Sequence, residues 1–302
     1  MIGPGALGLL VGGLLMRAGR EVVFVARDEG AAARLEAAGL TLRRGSERWE
    51  LALDARSSAP EHAAAVLLCV KVRDTEAACE VARGVADAPV VVFQNGLGRG
   101  AAVAAALGAP ERVIVALTRE GATPGVGRRE GLHAGRGSTT LAPLRPQSLA
   151  LAREVAELLE GALDVELVGD LARAEWEKLG VNAAINALTA IARCPNGALL
   201  EVPELRDLAQ RAALEASRCA EAGGVEGDWG PEATRARWEG VAQATAGNRS
   251  SALQDLEAGR VTEVSAINGA LAERATELGV PAPVNGWLAQ LVRGLEAISR
   301  GN

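Results

Sequence analysis

The stretch GPGALGLLVGGLLMRAGREVVFVAR, residues 3–27, decides the fold expected for this chain. It opens with glycines at positions 3, 5 and 8, continues as an apolar helix, and ends in a β-branched strand over 21–26. In a G-x-G-x-x-G turn the first glycine permits a tight turn and the second lets backbone approach a pyrophosphate. The third lets the helix pack against a sheet. The free N–H groups at the helix start then face the phosphates. The stretch predicts a dinucleotide-binding turn; a glycine-rich turn without a ligand is the alternative.

The residue that ends this strand indicates which dinucleotide is bound. An Asp or Glu there would bind the ribose 2′-hydroxyl of NAD, but the chain has Arg27. A guanidinium can bind a 2′-phosphate through two parallel hydrogen bonds. We therefore expect NADPH to be preferred over NADH.

The start of the chain departs from the usual pattern. Only Met1 and Ile2 precede Gly3, whereas the first strand of such a sheet usually has about five or six residues. Either this strand is shortened or the true start lies upstream. We favour an upstream start, because a missing central strand would be costly, and the intact mass of the native protein would decide.

The rest of the chain falls into two parts of different character. Strands are predicted over 64–72, 88–96 and 113–117, a helix over 74–86, and weak alternation over 40–54 suggests a hairpin. Alternating strands and helices predict a parallel sheet of the α/β class. After a helix over 147–162 and a last strand over 165–169, only helices follow: 171–192, 202–223, 231–257, 261–279 and 285–299. We place the domain boundary near residue 168, giving domains 1–168 and 169–302.

Composition excludes several classes of protein. The net charge is 32 − 38 = −6, which disfavours binding to nucleic acid or to anionic membranes. The uncharged run 1–16 is shorter than the ~20 residues that span a bilayer, and it lacks the basic start of a signal peptide. The four cysteines form no C-x-x-C pair, and scattered cysteines fit a reducing cytoplasm. We expect a cytoplasmic protein, with Arg43-Arg44 and Arg128-Arg129 as solvated loop charges.

Scarce residue types limit the chemistry. The 32 basic residues include only two lysines, Lys71 and Lys178, and the only histidines are His62 and His133. Two histidines cannot build a His-rich metal site, and they make a Ser-His-Asp triad a poor interpretation. We therefore predict no metal, and we expect Lys, Glu or Asn to carry the chemistry.

The segment EWEKLGVNAAINALTA, residues 175–190, is the most informative part of the second half. Lys178, Asn182 and Asn186 are spaced four residues apart, so they line one face of a helix. A lysine there can act as a general acid if desolvation lowers its pKa, which an arginine cannot do. The alternative is a surface lysine that shares its face with two asparagines by chance.

Other candidates each have a structural alternative. Glu263 lies in the first turn of a predicted helix, where a carboxylate is common in any case. Ser250 and Ser251 precede a helical segment and could simply cap it. Asn95 follows a buried strand, as Lys71 ends another, at the sheet edge where α/β proteins bind ligands. An ordinary Asn-Gly turn is the alternative for Asn95.

Together these motifs resemble the ketopantoate reductase (2-dehydropantoate 2-reductase) family. The matching pieces occur in the family's order and cover most of the chain: GPGALG at 3–8, VKV around Lys71, QNG at 94–96, WEKLGVNAAINALTAI at 176–191, CPNG at 194–197, NRSSALQDL at 248–256 and TE at 262–263. The shortened first strand is the one serious departure, and it bears on cofactor affinity and stability rather than on the chemistry.

The resemblance implies both a fold and an activity. The fold is a Rossmann-type parallel-sheet domain followed by an all-α domain like the C-terminal domain of 6-phosphogluconate dehydrogenase, with the active site between them. The activity is NADPH-dependent reduction of 2-dehydropantoate to (R)-pantoate on the route to pantothenate. The alternatives are a related reductase of another branched 2-keto acid and a non-catalytic NADP-binding sensor. A homodimer is compatible with the apolar helix stripes, which could equally form a core.

The resemblance also implies residue roles. Lys178 is expected to be the proton donor, with Glu263 as the second catalytic residue. The cofactor contacts expected are Gly3, Pro4, Gly5, Ala6, Leu7, Gly8, Arg27, Lys71, Asn95, Ala122 and Glu263. The substrate contacts expected are Asn95, Lys178, Asn182, Asn186, Asn196, Gly197, Ala198, Leu199 and Ser251.

Overall fold

The computed structural model describes residues 1–124 and 130–301, so the expected loop pair Arg128-Arg129 lies outside the described residues. The chain divides into two compact units. The first comprises Met1–Gln94 and Gly98–Leu171, and the second comprises Asn95–Leu97 and Ala172–Asn302. The three residues that follow Gln94 in the chain therefore pack with the second unit.

The first unit contains strands and helices in alternation. Its strands are β1 (Val23–Val25), β2 (Leu40–Arg44), β3 (Glu47–Leu51), β4 (Asp54–Arg56), β5 (Val66–Leu68), β6 (Val90–Val92), β7 (Val113–Thr118), β8 (Gly121–Pro124), β9 (Glu130–Gly135), β10 (Ser138–Pro143) and β11 (Asp164–Leu167). Its helices are α1 (Ala6–Arg17), α2 (Glu29–Ala38), α3 (Thr75–Arg83), α4 (Arg99–Leu107) and α5 (Leu149–Leu159).

The main sheet has the order β4-β1-Ile2-β5-β6-β7-β10-β11. Ile2 alone forms parallel bridges to Val25 on one side and to Leu68 on the other, so one residue occupies the central strand position. The neighbouring pairs are parallel, which confirms the α/β prediction, except that β10 runs antiparallel to β7. The described residues between β7 and β10 form β8 and β9 and do not include the helical crossover that a parallel return requires.

The central strands of the main sheet, β5, β6 and β7, are buried on both faces. Leu67, Val91 and Ile114 point to a cluster that includes residues of α1 and α5. Their neighbours Val90 and Val113 point to a second cluster with residues of α3 and α4. A strand that is covered on both faces has apolar side chains at every position and not only at every second one. This explains the three consecutive valines of β6.

A second sheet has the order β3-β2-β9-β8. Strands β2 and β3 pair antiparallel from Leu40–Leu51 to Arg44–Glu47, so the weakly indicated hairpin is confirmed. The expectation of a loop at Arg43-Arg44 was wrong, because both residues lie in β2. Arg43 is opposite Arg48 and Arg44 is opposite Glu47 in the strand pair, and Arg44 also forms an ion pair with Glu47 at 2.6 Å.

The described residues of the second unit form helices joined by loops, without a strand. Its helices are α6 (Leu171–Ala192), α7 (Ala198–Glu201), α8 (Pro203–Ala222), α9 (Pro231–Ala244), α10 (Ser251–Glu257), α11 (Ala270–Leu278) and α12 (Pro283–Gly301). A π-helical turn, Ser265–Gly269, leads directly into α11. None of the helices in the described ranges combines the length and apolarity of a membrane span.

Two helix predictions were wrong in detail. The single helix expected over 231–257 is broken between α9 and α10, because the intervening loop pairs with residues 196–197. The N–H groups of Asn196 and Gly197 donate to the carbonyls of Asn248 and Ala246, both at 2.9 Å. The helix expected from residue 261 begins instead after Glu263, whose carbonyl accepts the first N–H bonds.

A buried carboxylate joins two helices of this unit. Glu215 on α8 accepts hydrogen bonds from the backbone N–H groups of Val284 and Asn285, both at 2.9 Å. These are among the N–H groups that a helix start leaves without partners, and a carboxylate there is doubly favourable. The Asn285 side chain adds a third bond to Glu215 at 2.7 Å. Glu215 therefore caps α12 from inside the core.

We expect Glu215→Gln to lower the free energy of unfolding by about 1.5–3 kcal/mol, since it removes a charged acceptor from buried donors. Urea denaturation followed by circular dichroism measures this. The matched control is Glu221→Gln, an exposed residue on the same helix. Equal stability of the two variants would contradict the capping role.

Candidate active site

Lys178 is buried on α6. Only 7% of the surface of Lys178 is exposed. The next three residues of the helix, Leu179, Gly180 and Val181, are buried as well. An ammonium group removed from water needs hydrogen-bond partners to offset the loss of hydration. The partners of this lysine therefore define the site.

An asparagine links Lys178 to a carboxylate. Lys178 Nζ donates to Asn95 Oδ1 at 2.8 Å, and Asn95 Nδ2 donates to Glu263 Oε2 at 2.9 Å. A lysine can only donate and a carboxylate can only accept, so this Asn95 orientation is the one that satisfies both neighbours. We call this arrangement the Lys178–Asn95–Glu263 relay. All three residues belong to the second unit, so the structure brings together three residues that the sequence singled out separately.

The residue before Glu263 fixes the backbone at that point. Thr262 donates from its N–H and its Oγ1 to Glu296 Oε1, at 2.8 and 2.7 Å. Thr262 Oγ1 in turn accepts from the N–H of Val264 at 3.2 Å. Thr262 and Glu296 are both buried, so Glu263 extends from a backbone held on each side of it.

The π-helical turn after Glu263 fixes the other side. Asn268 within this turn donates through Nδ2 to the carbonyl of Ala183 on α6 at 3.0 Å, and to Asn285 Oδ1 at 2.8 Å. Single π-helical turns within helices are frequent at functional sites, because the extra residue re-aims neighbouring side chains. Here the turn connects the backbone after Glu263 to the helix that carries Lys178.

The two asparagines predicted to share a face with Lys178 lie on α6 as expected. Asn182 and Asn186 are half-buried, unlike the buried residues on either side of each. Their side-chain amides thus remain partly open to small molecules.

The predicted substrate loop, 196–199, is built on the break between α9 and α10. Asn196 is buried and donates from Nδ2 to Thr245 Oγ1 at 2.9 Å. Gly197 allows close approach, because a Cβ there would lie 2.8 Å from that of Ala246. Ala198 begins α7 and is half-buried, whereas Leu199 is fully buried in the helical core. The Leu199 side chain is therefore occupied by packing in the core, and the substrate contact expected of Leu199 stays a prediction.

The structure places Ser250 and Ser251 differently, although the sequence suggested the same capping alternative for both. Ser250 is buried, and its Oγ accepts from the N–H of Leu253 at 3.2 Å and from Thr189 Oγ1 at 2.7 Å. It is the cap of α10. Ser251 is the first helical residue and is exposed, so its predicted substrate contact stays a prediction.

The glycine turn of the first unit has the geometry that its spacing predicts. Gly3 has φ +92°, in the left-handed region that favours glycine. A Cβ on Gly8 would lie 2.2 Å from the carbonyl oxygen of Gly3, so turn and helix touch there. A Cβ on Gly5 would meet no atom within 4 Å, so its backbone is open to a ligand. Pro4, Ala6 and Leu7 complete the turn and the first turn of α1, whose N–H groups suit a phosphate.

The remaining cofactor candidates also lie in the first unit. Arg27 follows β1 with a side chain that is 88% exposed and near Asp28, while Lys71 is exposed after β5. Ala122 lies in β8 of the second sheet, paired with His133, and packs partly buried against the core. Their contacts with a cofactor stay predictions.

Sequence reasoning missed the residues that hold the relay in place. Thr262 was named only within the TE pair and without a role, and Asn268 and Glu296 were not singled out, although both belong to helical segments that bury apolar residues. The sequence could have indicated them as polar residues on the apolar face of a helix. Glu296, for example, is four residues after the buried Val292 and therefore lies on the same face. Such residues are normally hydrogen-bonded, but their partners cannot be read from periodicity.

Comparison with known proteins assigns a family to both parts of the chain. The family described as ketopantoate reductase PanE/ApbA matches residues 1–146, and its C-terminal part matches residues 170–296. The chain belongs to the ketopantoate reductase family. A 2-dehydropantoate 2-reductase of Archaeoglobus fulgidus is 37% identical over 301 residues, 98% of this chain and 97% of that protein.

Solved structures agree with the family and the fold. A PanE/ApbA family ketopantoate reductase from Ralstonia eutropha superposes with a TM-score of 0.82 at 30% identity, covering 99% of this chain and 98% of that one. A D-mandelate dehydrogenase bound to NADH and anilino(oxo)acetate superposes with a TM-score of 0.90, covering 99% and 98%. At 22% identity this second likeness concerns the fold alone.

As a member of the ketopantoate reductase family, this chain is an oxidoreductase acting on CH–OH groups, and its family uses NAD(P). The predicted family and the predicted fold class, a parallel-sheet part followed by a helical part, are confirmed. The open backbone at Gly5 and the helix start behind it fit the pyrophosphate of such a cofactor.

Two glycine substitutions separate cofactor binding from folding. We expect Gly5→Ala to weaken NAD(P)H binding at least about tenfold, while changing the stability of the cofactor-free protein by less than about 1 kcal/mol. Gly8→Ala should instead lower that stability by about 1–3 kcal/mol, because its methyl group meets the Gly3 carbonyl.

Fluorescence titration with NADPH and thermal unfolding without it measure the two effects. Undiminished NADPH affinity in Gly5→Ala would contradict the assignment of the turn as the pyrophosphate site.

Proposed function

We propose that this protein reduces 2-dehydropantoate to (R)-pantoate with NADPH, on the route to pantothenate. The observation that carries the proposal is the Lys178–Asn95–Glu263 relay, a buried ammonium group tied through one amide to a carboxylate. In this proposal residues 1–168 bind the cofactor and residues 169–302 supply the proton and most substrate contacts. The name of the Archaeoglobus relative supports the choice of substrate.

Reduction of a ketone adds a hydride to carbon and a proton to oxygen. The nicotinamide of a bound cofactor would supply the hydride. Lys178 Nζ provides the proton and stabilises the negative charge that develops on oxygen, which combines acid catalysis with electrostatic stabilisation. Because Lys178 is buried, its charge acts in a medium of lower dielectric constant than water.

Asn95 and Glu263 orient the proton donor. An ammonium group has three N–H donors, and Asn95 Oδ1 takes one of them, which fixes the direction of Nζ. Glu263 accepts from Asn95 through Oε2, and its other oxygen, Oε1, is the group we assign to the hydroxyl of the substrate or of the nicotinamide ribose. The half-buried amides of Asn182 and Asn186 are assigned to the substrate carboxylate.

Two charged side chains after β1 support NADPH over NADH. Asp28, the carboxylate closest to the end of this strand, is occupied as the cap of α2, where its Oδ1 accepts from Ala31 at 2.7 Å. That backbone hydrogen bond, ahead of the neighbouring guanidinium groups of Arg27 and Arg34, holds the pKa of Asp28 below its ordinary value. The guanidinium of Arg27 is exposed and suits a 2′-phosphate.

Two substitutions at Lys178 test the proton donor. We expect Lys178→Ala to lower kcat by about 10²–10⁴-fold with NADPH affinity retained. Lys178→Arg should lower kcat to a similar extent, because a guanidinium keeps the positive charge but does not release a proton. NADPH oxidation with 2-dehydropantoate gives kcat, and fluorescence titration gives the affinity.

The same assay distinguishes substrates. Trimethylpyruvate has the carbon skeleton of 2-dehydropantoate without its hydroxyl, and a site that hydrogen-bonds the hydroxyl should reject it. A higher kcat/KM for trimethylpyruvate would indicate a reductase of another branched keto acid. Saturable NADPH binding without turnover of either acid would favour a sensor, and near-normal turnover of Lys178→Arg would refute the lysine assignment.

Substitution of Arg27 tests the cofactor preference. We expect Arg27→Ser to lower kcat/KM for NADPH at least about tenfold, while kcat/KM for NADH changes little, since only NADPH carries the 2′-phosphate. Arg153→Ser, at an exposed position of α5, is the control and should change neither value. A wild-type protein with a higher kcat/KM for NADH would contradict the proposed preference.

A further inference from the structure

The first unit contains a cleft of about 700 Å³ that the proposed reaction does not use. Three arginines from different parts of the chain, Arg17, Arg44 and Arg136, line it together with His133 and Glu120. We call it the arginine cleft. Its remaining lining includes Leu14 and Ala18, at the end of α1, and Leu163 and Asp164, at the start of β11.

The arginine cleft lies at the opposite end of α1 from the glycine turn. Arg17 is the last residue of this 12-residue helix, and Gly5 directly precedes its first residue. At 1.5 Å per residue the helix separates them by about 18 Å. Phosphates held at the helix start therefore do not reach the guanidinium groups at its end.

Aromatic stacking holds two of the three guanidinium groups in place. The guanidinium carbon of Arg17 lies 3.5 Å from the centroid of the Trp49 ring, and that of Arg44 lies 5.3 Å from it. A guanidinium stacked on an aromatic face loses less conformational freedom when it forms hydrogen bonds to a ligand. The strand pair β2–β3 supplies both Arg44 and Trp49.

The carboxylates of Glu47 and Asp164 beside the cleft offset its positive charge only weakly. Glu47 pairs with Arg44 at 2.6 Å, but its side chain is about half exposed. The nearby guanidinium groups, first that of Arg44 by hydrogen bonding, hold the pKa of Glu47 below its ordinary value, so it is a carboxylate at neutral pH. Asp164 is exposed as well. Surface ion pairs of this kind are weak, and a ligand carboxylate or phosphate can replace them.

A buried polar pair also lines the cleft. His133 Nε2 lies 2.5 Å from Glu120 Oε2, and the two side chains are only 3% and 4% exposed. His133 Nδ1 is buried without a hydrogen-bond partner among residues 1–124 and 130–301. Because so little of either side chain is exposed, the pair forms part of the cleft wall and leaves the contact with a ligand to the arginines.

We propose that the arginine cleft binds a small multivalent oxyanion, a polycarboxylate or a phosphate-bearing compound, outside the active site. The guanidinium groups of Arg17, Arg44 and Arg136 bind the anionic oxygens, and guanidinium groups match carboxylates and phosphates in geometry. Leu14, Ala18 and Leu163 offer an apolar wall for the carbon skeleton of the ligand. The proposal does not depend on the identity of the reduced substrate.

Isothermal titration calorimetry with inorganic pyrophosphate and with citrate tests this site. Both titrations are run on the full chain at matched ionic strength, with and without saturating NADPH. We expect at least one probe to bind with a Kd below about 1 mM, whether or not NADPH is present. Preference for pyrophosphate indicates a phosphate-bearing ligand, and preference for citrate indicates a polycarboxylate.

Arginine substitutions locate the binding. The double variant Arg17→Gln/Arg136→Gln should weaken the probe at least about tenfold, because two charged hydrogen-bond donors are lost. Arg153→Gln removes an exposed arginine of the same unit and should leave the Kd unchanged. The single variant Arg136→Gln, at an exposed position, serves if the double variant unfolds at a lower temperature.

Three results would overturn the proposal. They are the failure of both probes to bind, binding that NADPH abolishes, and an unchanged Kd in both the double and the single arginine variants. None of them depends on turnover of a keto acid, so failure of this site and failure of the proposed reaction are distinguishable.

Discussion

The amide of Asn95 is the group on which the candidate active site depends. Its oxygen accepts from Lys178 and its nitrogen donates to Glu263, so one side chain satisfies a buried ammonium group and a carboxylate at once. An ammonium group without such a partner would be costly to keep in the core. The site therefore requires that residues 95–97 pack with the second unit, although they follow β6 of the first unit in the chain.

The second unit holds its helices in register through buried polar residues. Glu215 caps α12, Asn268 bonds the carbonyl of Ala183, and Glu296 binds both the N–H and the hydroxyl of Thr262. Apolar helix stripes can slide past one another at little cost, whereas a buried carboxylate that loses its donors cannot. The contacts of Thr262 and Asn268 lie on either side of Glu263 in the chain. The bonds that fix the helices therefore also orient Glu263.

Helix α1 organises the first unit from both of its ends. Its N-terminus carries the open glycine turn, and its C-terminus carries Arg17 of the arginine cleft. Its middle is buried against the main sheet, in which Ile2 alone bridges β1 and β5. Both ends are accessible because a helix in the middle of an α/β sheet buries its flank and not its termini.

Local patterns in the sequence determined the fold class and the chemistry of the main residues. The spacing of the glycines, the β-branched runs and the Lys178, Asn182 and Asn186 positions each depend on backbone geometry within a few residues. Those predictions describe one turn, one strand or one helix face at a time. They identified Lys178, Asn95 and Glu263 as separate candidates.

Only the tertiary structure decided how these pieces meet. Asn95 is 83 residues from Lys178 and 168 residues from Glu263, and no periodicity relates such positions. The break between α9 and α10 was equally invisible, because it depends on carbonyls that pair with residues about 50 positions earlier, at 196–197. The arginine cleft likewise gathers residues from 14 to 164. Periodicity reports the face on which a side chain lies, whereas the partner on that face is chosen by long-range packing.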